Sequence, residues 1–363
     1  MNQRYRAFPA ITACVLFWGI SFVSIKITMT VFPPMTLGAF RFAIATVFLF
    51  FIKKRYAPAE KLKVRDLPLL VAAGLIGVTL YFFCENNGVA RITASEASLI
   101  SAFIPVLTML AEWFGGWFAF IRRKGTPQSP PPRIAPRRWL GAIISVAGVW
   151  LIAGVSIGGE KSGGNSGSAL GYLFMSGAPV SWVAYAFLTK RLFARCSQTY
   201  ITFWQTLFGF IAFVPFAAAE FPAWGIPNAA VLCHLLFLGV ACSALGYWFY
   251  VIALETLGVA IPALFLNFVP VVTVAAGFLI LGERLVRLQW LGAALVLAGI
   301  SLAAAMYPAS PDPPLDGGDE QRKNKKHERC GNENEKRMAD VDVEHAASYG
   351  DGKTQGPKVI EAG

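Results

Sequence analysis

The sequence predicts an all-α polytopic membrane protein in which ten transmembrane helices form two inverted five-helix repeats. Three observations support this fold class. Of the 363 residues, 55% are hydrophobic and only 15% are charged, whereas soluble domains carry roughly 25% charged residues. Apolar runs of membrane-spanning length recur along the chain, and motifs of the first half reappear in the second. So apolar a chain is expected to bury most of its surface in lipid.

Ten apolar runs approach or exceed the roughly 20 residues that a membrane-spanning helix needs. We number them spans 1 to 10: about 7–29, 34–52, 67–88, 94–120, 139–156, 168–189, 200–219, 229–252, 260–281 and 287–306. Basic residues precede span 1, as they precede a signal peptide. Span 1 is longer than the apolar core of such a peptide, and no small-residue cleavage site is evident near its end, so we expect it to be retained.

The distribution of basic residues predicts the orientation of the spans. With a cytoplasmic N-terminus, the segments on the cytoplasmic side carry 17 Lys or Arg and those on the other side carry 4. This asymmetry follows the positive-inside rule and predicts that both termini are cytoplasmic. It also accounts for the net charge of +11, which taken alone would suggest a nucleic-acid partner; none is expected.

Composition divides the chain into four parts. Residues 157–167 (IGGEKSGGNSG) predict a flexible linker between a first repeat at 5–156 and a second at 168–306. Residues 307–363 are rich in Pro, Gly and charged side chains, and they predict a disordered cytoplasmic tail because they cannot bury enough apolar surface to fold.

The two halves share residues at offsets of 164 or 165 residues in spans 1 to 4 and of 151 residues in span 5. The segment RRWLGAIISVAGVWLIAG (137–154) returns as LQWLGAALVLAGISLAAA (288–305), with Trp139 matched to Trp290. Other matches are Trp18 with Trp182, Arg41 with Gln205, Gly74 with Gly239, and Pro105 with Pro270. Because five is an odd number, the second unit enters the membrane from the opposite side, which makes an inverted repeat of the kind that many secondary transporters use.

Several segments resemble the EamA-like branch of the drug/metabolite transporter superfamily. They are LFWGISFVSIK (16–26), GAFRFAIA (38–45), ASLISAFIPV (97–106), PVSWVAYAFLTKR (179–191) and NFVPVVTVAAGFLILGER (267–284). The resemblance implies ten helices, a bacterial inner-membrane location and secondary transport of small metabolites, often export. The chain departs from symmetry where span 9 ends in LGER (281–284), since the matching region around Phe118 has no acid, and where RRKGTPQSPPP (122–132) lengthens the first half.

Four charged residues fall within apolar spans: Lys26, Arg41, Glu85 and Glu96. Such charges cost about 2.5–3.5 kcal/mol each on insertion scales and usually face protein or water. Their charges sum to zero, so the set could close as ion pairs and open around a zwitterion or a small polar metabolite, with amino acids as the leading class. Glu85 could accept a proton and couple export to proton entry. The alternatives are snorkelling for Lys26, a helix-start role for Glu96 and a structural ion pair for Arg41.

The predicted substrate-binding residues combine Arg41 and Glu85 with polar and aromatic side chains, among them Tyr81, which shares a helix face with Glu85 by its spacing in span 3. They are Trp18, Arg41, Tyr81, Glu85, Trp182, Tyr185, Gln205, Tyr247 and Asn267. For the aromatic members the alternative is a place in the interfacial belts. Pro105 and Pro270 each remove a helix hydrogen bond, so they predict kinks in spans 4 and 9 that serve as structural bends or as gating hinges.

The sequence therefore predicts a secondary transporter of small polar metabolites that exports them by alternating access. Two alternatives stay open: a membrane-embedded enzyme, and a non-transporting scaffold or sensor. The sequence contains neither HExxH nor GxSxG, and it lacks the P-loop pattern that ATP-driven pumping would need. Its six cysteines and three histidines show no metal-ligand spacing, so we expect no catalytic residue, metal or cofactor.

Overall fold

The computed structural model describes residues 3–304, except 59, 61, 123–134, 158–167, 194–195 and 258–259. All regular structure within these residues is helical, and seven of their helices are long and apolar enough to cross a membrane. The predicted all-α polytopic membrane fold is thereby confirmed. The predicted tail, all but the first residue of the predicted linker and all but the first residue of the 122–132 insertion lie outside the described residues.

Each predicted span corresponds to one helix or to helices in series. Spans 1 to 5 contain α1 (Gln3–Thr28), α2 (Pro34–Tyr56), α3 (Leu67–Gly74) followed by α4 (Tyr81–Val89), α5 (Ala94–Ser101) followed by α6 (Ile104–Arg122), and α7 (Pro136–Ile157). Spans 6 to 10 contain α8 (Ala169–Phe193), α9 (Gln198–Ala219), α10 (Ala229–Leu236) followed by α11 (Gly246–Leu257), α12 (Ala260–Leu266) followed by α13 (Val269–Ala276), and α14 (Arg287–Ala304).

Local sequence signals explain where several of these helices begin. Pro34 starts α2, where its missing N–H is not needed by the helix. Ser197 and Asn228 precede α9 and α10, and their side chains accept hydrogen bonds from backbone N–H groups of the first turns. Thr93 and Glu96 form a reciprocal capping box at the start of α5. Polar residues at short loops therefore satisfy backbone donors that lipid cannot satisfy.

Large apolar side chains on the outside of the bundle fit a surrounding bilayer. Phe51, Trp150 and Leu279 expose 62%, 74% and 78% of their surfaces, on helices of three different spans. Soluble proteins rarely expose extended apolar surface of this kind. The buried core instead lies where the spans of the two halves meet, and it includes Phe42, Phe82 and Phe213.

Spans 3 and 8 are each interrupted by a π-helical segment, at Leu75–Leu80 and Phe237–Leu245. Spans 4 and 9 are each broken, after Ser101 and after Leu266. The prolines predicted to kink spans 4 and 9 lie just after these breaks: Pro105 and Pro270 are the second residues of α6 and α13. A proline in a first turn costs no hydrogen bond, so the helix breaks before each proline instead of bending at it.

Two glycines bring spans of opposite halves into close contact at matched positions. A Cβ on Gly74 of span 3 would lie 2.7 Å from the carbonyl oxygen of Gln205 in span 7. Its counterpart Gly239 of span 8 packs against Arg41 of span 2, whose carbonyl oxygen would lie 3.2 Å from such a Cβ. The offsets in the sequence paired Gly74 with Gly239 and Arg41 with Gln205, so each contact is the image of the other.

Spans 5 and 10 cross through a second reciprocal contact. A Cβ on Gly148 would lie 2.6 Å from the carbonyl oxygen of Gly292, and one on Gly299 would lie 2.5 Å from that of Gly141. Gly148 matches Gly299 at the 151-residue offset of the repeated WLGA segments, as Gly141 matches Gly292. The repeated apolar helix therefore forms two matched halves of one close helix crossing, of the kind that small residues permit in membranes.

Acidic residues link spans 2 and 7 in the same reciprocal way. Glu220, which follows α9, accepts hydrogen bonds from the backbone N–H groups of Met35 and Thr36 at the start of α2, at 3.3 and 2.7 Å. Glu60, which follows α2, accepts two contacts of 3.3 and 3.1 Å from the N–H of Ser197 at the start of α9. A carboxylate at a helix N-terminus is favoured by the helix dipole, so each helix is held by the segment that follows the other.

Candidate functional site

A buried ion pair lies between spans 2 and 3. Arg41 and Glu85 expose only 3% and 4% of their surfaces, and Arg41 Nη1 lies 3.9 Å from Glu85 Oε2. The Arg41 Nε donates a 2.6 Å hydrogen bond to Ser243 Oγ of span 8. The guanidinium also lies 4.4 Å from the centre of the Phe82 ring, a cation–π contact that stabilises the positive charge.

The Nη1 atom of Arg41 is fully buried, and it has no hydrogen-bond acceptor among the residues that the structure describes. Its distance of 3.9 Å from Glu85 is too long for a hydrogen bond. A buried polar group left unsatisfied costs about 1–3 kcal/mol, and more when it is charged. The protein therefore holds a charged donor in its interior without an acceptor of its own, which is an arrangement that a bound anionic group would complete.

Glu85 is oriented by its own helix. Tyr81 lies one turn earlier on α4, and its hydroxyl donates a 3.1 Å hydrogen bond to Glu85 Oε1. Residues four apart share a helix face, so both side chains point to the space that Arg41 faces. The spacing of the two residues in the sequence predicted this shared face.

Five aromatic side chains extend the site away from the ion pair. Trp182 contacts Tyr81, Tyr185 and Tyr247, with ring centres 5.6, 5.4 and 6.4 Å apart. Tyr247 in turn contacts Trp18 at 5.5 Å. These rings come from spans 1, 3, 6 and 8, so the aromatic group connects both halves of the protein.

Tyr185 and Tyr247 of the aromatic group are half-buried. Tyr185 also donates a 2.8 Å hydrogen bond to Gln205 Oε1, so the buried Gln205 joins the site as the counterpart of Arg41.

The π-helical segments hold the site together. In a π-helical turn, backbone carbonyls are released from the regular helix pattern, and such turns are frequent at functional sites. Cys242 of span 8 accepts a 3.1 Å hydrogen bond on its carbonyl oxygen from Trp18 Nε1. Ile76 of span 3 accepts a 2.6 Å bond on its carbonyl oxygen from Ser181 Oγ of span 6. Each half thus anchors a site-bearing span of the other half.

The structure brings eight of the nine predicted site residues together, and Asn267 is the exception. Asn267 lies in the break between α12 and α13, and within the part of the chain that the structure describes it makes none of the contacts that join the other eight. The residue is half-buried. The role of all nine in substrate binding stays a prediction.

Glu96 and Lys26, the other two intramembrane charges, have interactions of their own. Glu96 completes the capping box of α5 and accepts a 2.7 Å hydrogen bond from Gln289 Nε2. Lys26 interacts electrostatically with Glu283 and Glu96. The helix-start alternative therefore describes the geometry of Glu96, and one neutral cluster of all four charges stays a prediction.

Two residues of the site had no clear signal in the sequence. Ser243 holds Arg41 by its Nε, and Phe82 provides the cation–π contact. A serine among small residues predicts helix packing, and a phenylalanine in an apolar span predicts contact with lipid or core. Among the described residues no group of three or more His, Cys, Asp or Glu side chains could hold a metal ion.

The sequence was compared with known protein families and curated proteins. A model of the EamA-like transporter family matches residues 7–116 and 169–305. An uncharacterized transporter of Archaeoglobus fulgidus is 28% identical over 289 residues, which cover 79% of this chain and 94% of the relative. A probable terminal-alkyne amino-acid exporter of Streptantibioticus cattleyicolor is 26% identical over 82% of this chain and 93% of the relative. A probable amino-acid metabolite efflux pump of Escherichia coli is 26% identical over 79% of this chain and 90% of the relative.

A solved structure has the same fold. The crystal structure of a protein with 18% sequence identity aligns with a TM-score of 0.55 over 84% of this chain and 99% of that protein. At this level of identity the similarity concerns the fold alone. Together with the two separate family matches, it shows a helical membrane protein made of two related halves.

Proposed function

The chain belongs to the EamA-like transporter family, and from this premise we propose that it exports amino acids or related small zwitterionic metabolites by alternating access. Two relatives carry amino-acid exporter or efflux names, which supports the substrate class. The two halves and the aromatic group between them support a shared cavity that opens to either face. The proposal assigns transport to the protein and no catalytic activity.

One observation carries the proposal: within the described part of the chain, the buried Arg41 Nη1 has no acceptor. A substrate carboxylate would accept a charge-assisted hydrogen bond there, which is about twice as strong as a neutral one. Glu85, 3.9 Å away, would attract the substrate ammonium group, and the faces of Trp182 and Tyr247 would add cation–π attraction. The pair thus offers one partner to each charge of a zwitterion.

We also propose where the protein lies and what drives export. We place it in the inner membrane of a bacterium, with both termini in the cytoplasm. Glu85 is the carboxylate of the site that can accept a proton, so proton entry is the coupling that we propose for export. The predicted domain division at 157–167 forms part of the same proposal, because it separates the two halves that rock against each other.

A topology assay tests the orientation. A reporter that is active only in the cytoplasm is expected to function when fused at Ser129 or after Tyr307, and to fail at Gly164. The expectation follows from the excess of basic residues on the predicted cytoplasmic side. Activity at Gly164 alone would reverse the predicted orientation and contradict export in the stated direction.

A flux assay in proteoliposomes tests the substrate class. The probes are free amino acids and the corresponding amino-acid amides, which keep the ammonium group but lack the carboxylate. We expect at least tenfold faster movement of the acids because only they bring a negative charge to the Arg41 guanidinium, and such charge-assisted hydrogen bonds are stronger than those to a neutral amide oxygen. Protein-free liposomes control for leakage of both probes. Equal rates for acids and amides would rule out carboxylate recognition at Arg41.

A further inference from the structure

A carboxylate of the second half binds the first turn of α5 in span 4. Glu283 Oε1 accepts a 2.8 Å hydrogen bond from the N–H of Ala94. Its Oε2 accepts bonds of 3.0 and 2.7 Å from the N–H and the hydroxyl of Ser95. Six residues further along, Gln289 donates a 2.7 Å bond to Glu96. Glu283, which lies between spans 9 and 10, and Gln289 of α14 therefore both bind α5, and the carboxylates of these contacts, Glu283 and Glu96, come from different halves.

The backbone around Glu283 is shaped for this contact. Gly282 has φ of +67°, a left-handed conformation that side-chain-bearing residues rarely adopt. This turn returns the chain so that the Glu283 N–H donates a 3.1 Å bond to the carbonyl oxygen of Gly277. A Cβ on Gly277 would lie 2.8 Å from Glu283 Oε2 and 3.0 Å from Ser95 Oγ. Only glycine at 277 leaves room for the two groups to meet.

Spans 4 and 9 pack together near this contact. Among the described residues, α5 packs against α13 of span 9 and also against α1, α4, α7 and α8, whereas α6 packs against α8 and α14, and α12 packs against α1 and α11. The breaks after Ser101 and Leu266 separate the contacting parts from the other parts of the two spans. Contact between the spans is thus concentrated at the end where Glu283 binds.

We propose that α5 and the end of span 9 form a gate on the membrane face at which spans 2 and 4 begin, and that Glu283 holds this gate closed. We call Glu283 the latch. Its carboxylate holds α5 when that face is closed and releases α5 when the face opens. This role rests on the proposed function, because a gate has meaning only in a transporter. In the proposed topology the face is the outer one, through which an exported substrate leaves.

Glu220 provides a matched control of the same chemistry. It accepts two N–H groups and one hydroxyl from the first turn of α2, the last through Thr36 Oγ1 at 2.8 Å. Spans 2 and 7 however pack along their whole length, from Gly38 against Phe213 to Phe50 against Phe203. Loss of the Glu220 cap should therefore leave the two helices together, whereas loss of Glu283 should release α5.

The test is a distance measurement between spin labels on the full chain in nanodiscs. The native cysteines are replaced, and labels are attached through Ala90→Cys and Arg287→Cys, two exposed positions that flank the latch. Glu283→Gln replaces one acceptor oxygen by a donor, so we expect at least a threefold increase in the population with a longer distance. Glu220→Gln should leave the distribution unchanged. A wild-type distribution for Glu283→Gln, or an equal shift in both variants, overturns the proposal.

A second variant, Gly277→Ala, tests the same contact in case the Glu283→Gln protein does not fold. Gly277→Ala inserts a methyl group between Glu283 and Ser95 and should produce the same shift, whereas an unchanged distribution in a folded Gly277→Ala protein also overturns the latch. Both measurements are made without substrate. They can therefore succeed even where amino-acid flux fails, which separates the latch from the proposed substrate class.

Discussion

Replacement of Arg41 by alanine is expected to lower transport at least tenfold. The substitution removes the buried donor that a substrate carboxylate would occupy, and tenfold corresponds to about 1.4 kcal/mol of lost interaction. Glu85→Gln should lower transport by a similar factor, and Gln205→Ala should have a milder effect because the glutamine is neutral. The measurement is flux in proteoliposomes at equal amounts of folded protein.

Two control variants separate substrate recognition from stability in this experiment. Arg41→Ala alone leaves the buried Glu85 without its counter-charge, and an uncompensated buried charge costs about 3–5 kcal/mol. The double variant Arg41→Ala with Glu85→Gln removes both charges and should regain stability but not transport. Arg41→Lys keeps the charge without the planar donor geometry, so partial transport is expected. A folded Arg41→Ala protein with wild-type flux would show that Arg41 is a structural charge only.

Replacement of Gly299 by leucine is expected to have the largest effect on folding. Even a Cβ at this position would lie 2.5 Å from the carbonyl oxygen of Gly141 and 2.6 Å from the backbone nitrogen of Ser145. Backbone cannot move aside as a flexible side chain does, so spans 5 and 10 must separate and lose their packing. Overpacking costs about 1–3 kcal/mol or more per site. We expect a strongly reduced yield of monodisperse protein and a lower midpoint of thermal unfolding.

Gly154 provides the control for this change. It lies on span 5, and nothing lies within 4 Å of a Cβ placed there, so Gly154→Leu should leave yield and unfolding midpoint near those of the wild type. The comparison separates the cost of the crossing from the general cost of a leucine on an apolar helix. Equal stability of the two variants would contradict the close contact between spans 5 and 10.

The sequence predicted the helices and much of the candidate site because both depend on patterns that the membrane enforces. A charge such as Arg41 or Glu85 inside an apolar run must face protein or water, so its role in the interior could be expected. Tyr81 was placed beside Glu85 by helical spacing alone. These inferences need the position of a residue along its own helix and nothing about its neighbours.

The remaining features depend on which helices meet, and one sequence does not contain that information. The π-helical segments that present Ser243 to Arg41 change the helical register locally without any mark in residue type. Lys26 and Glu96 were grouped with Arg41 and Glu85 because all four charges fall within apolar spans, yet Glu96 accepts its bond from Gln289 of span 10. Glu283 lies beyond the end of span 9, so a rule about charges within spans did not consider it.

The reciprocal crossing of spans 5 and 10 bears on how such a protein can originate. If the two halves were identical, Gly148 and Gly299 would be one position and Gly141 and Gly292 another, so the crossing would be the contact of a homodimer with a single glycine pair. Two copies of one five-helix chain, inserted in opposite orientations, would form it without any further mutation. Fusion of duplicated genes then frees each half to diverge, and Arg41 opposite Gln205 is an asymmetry that no homodimer could encode.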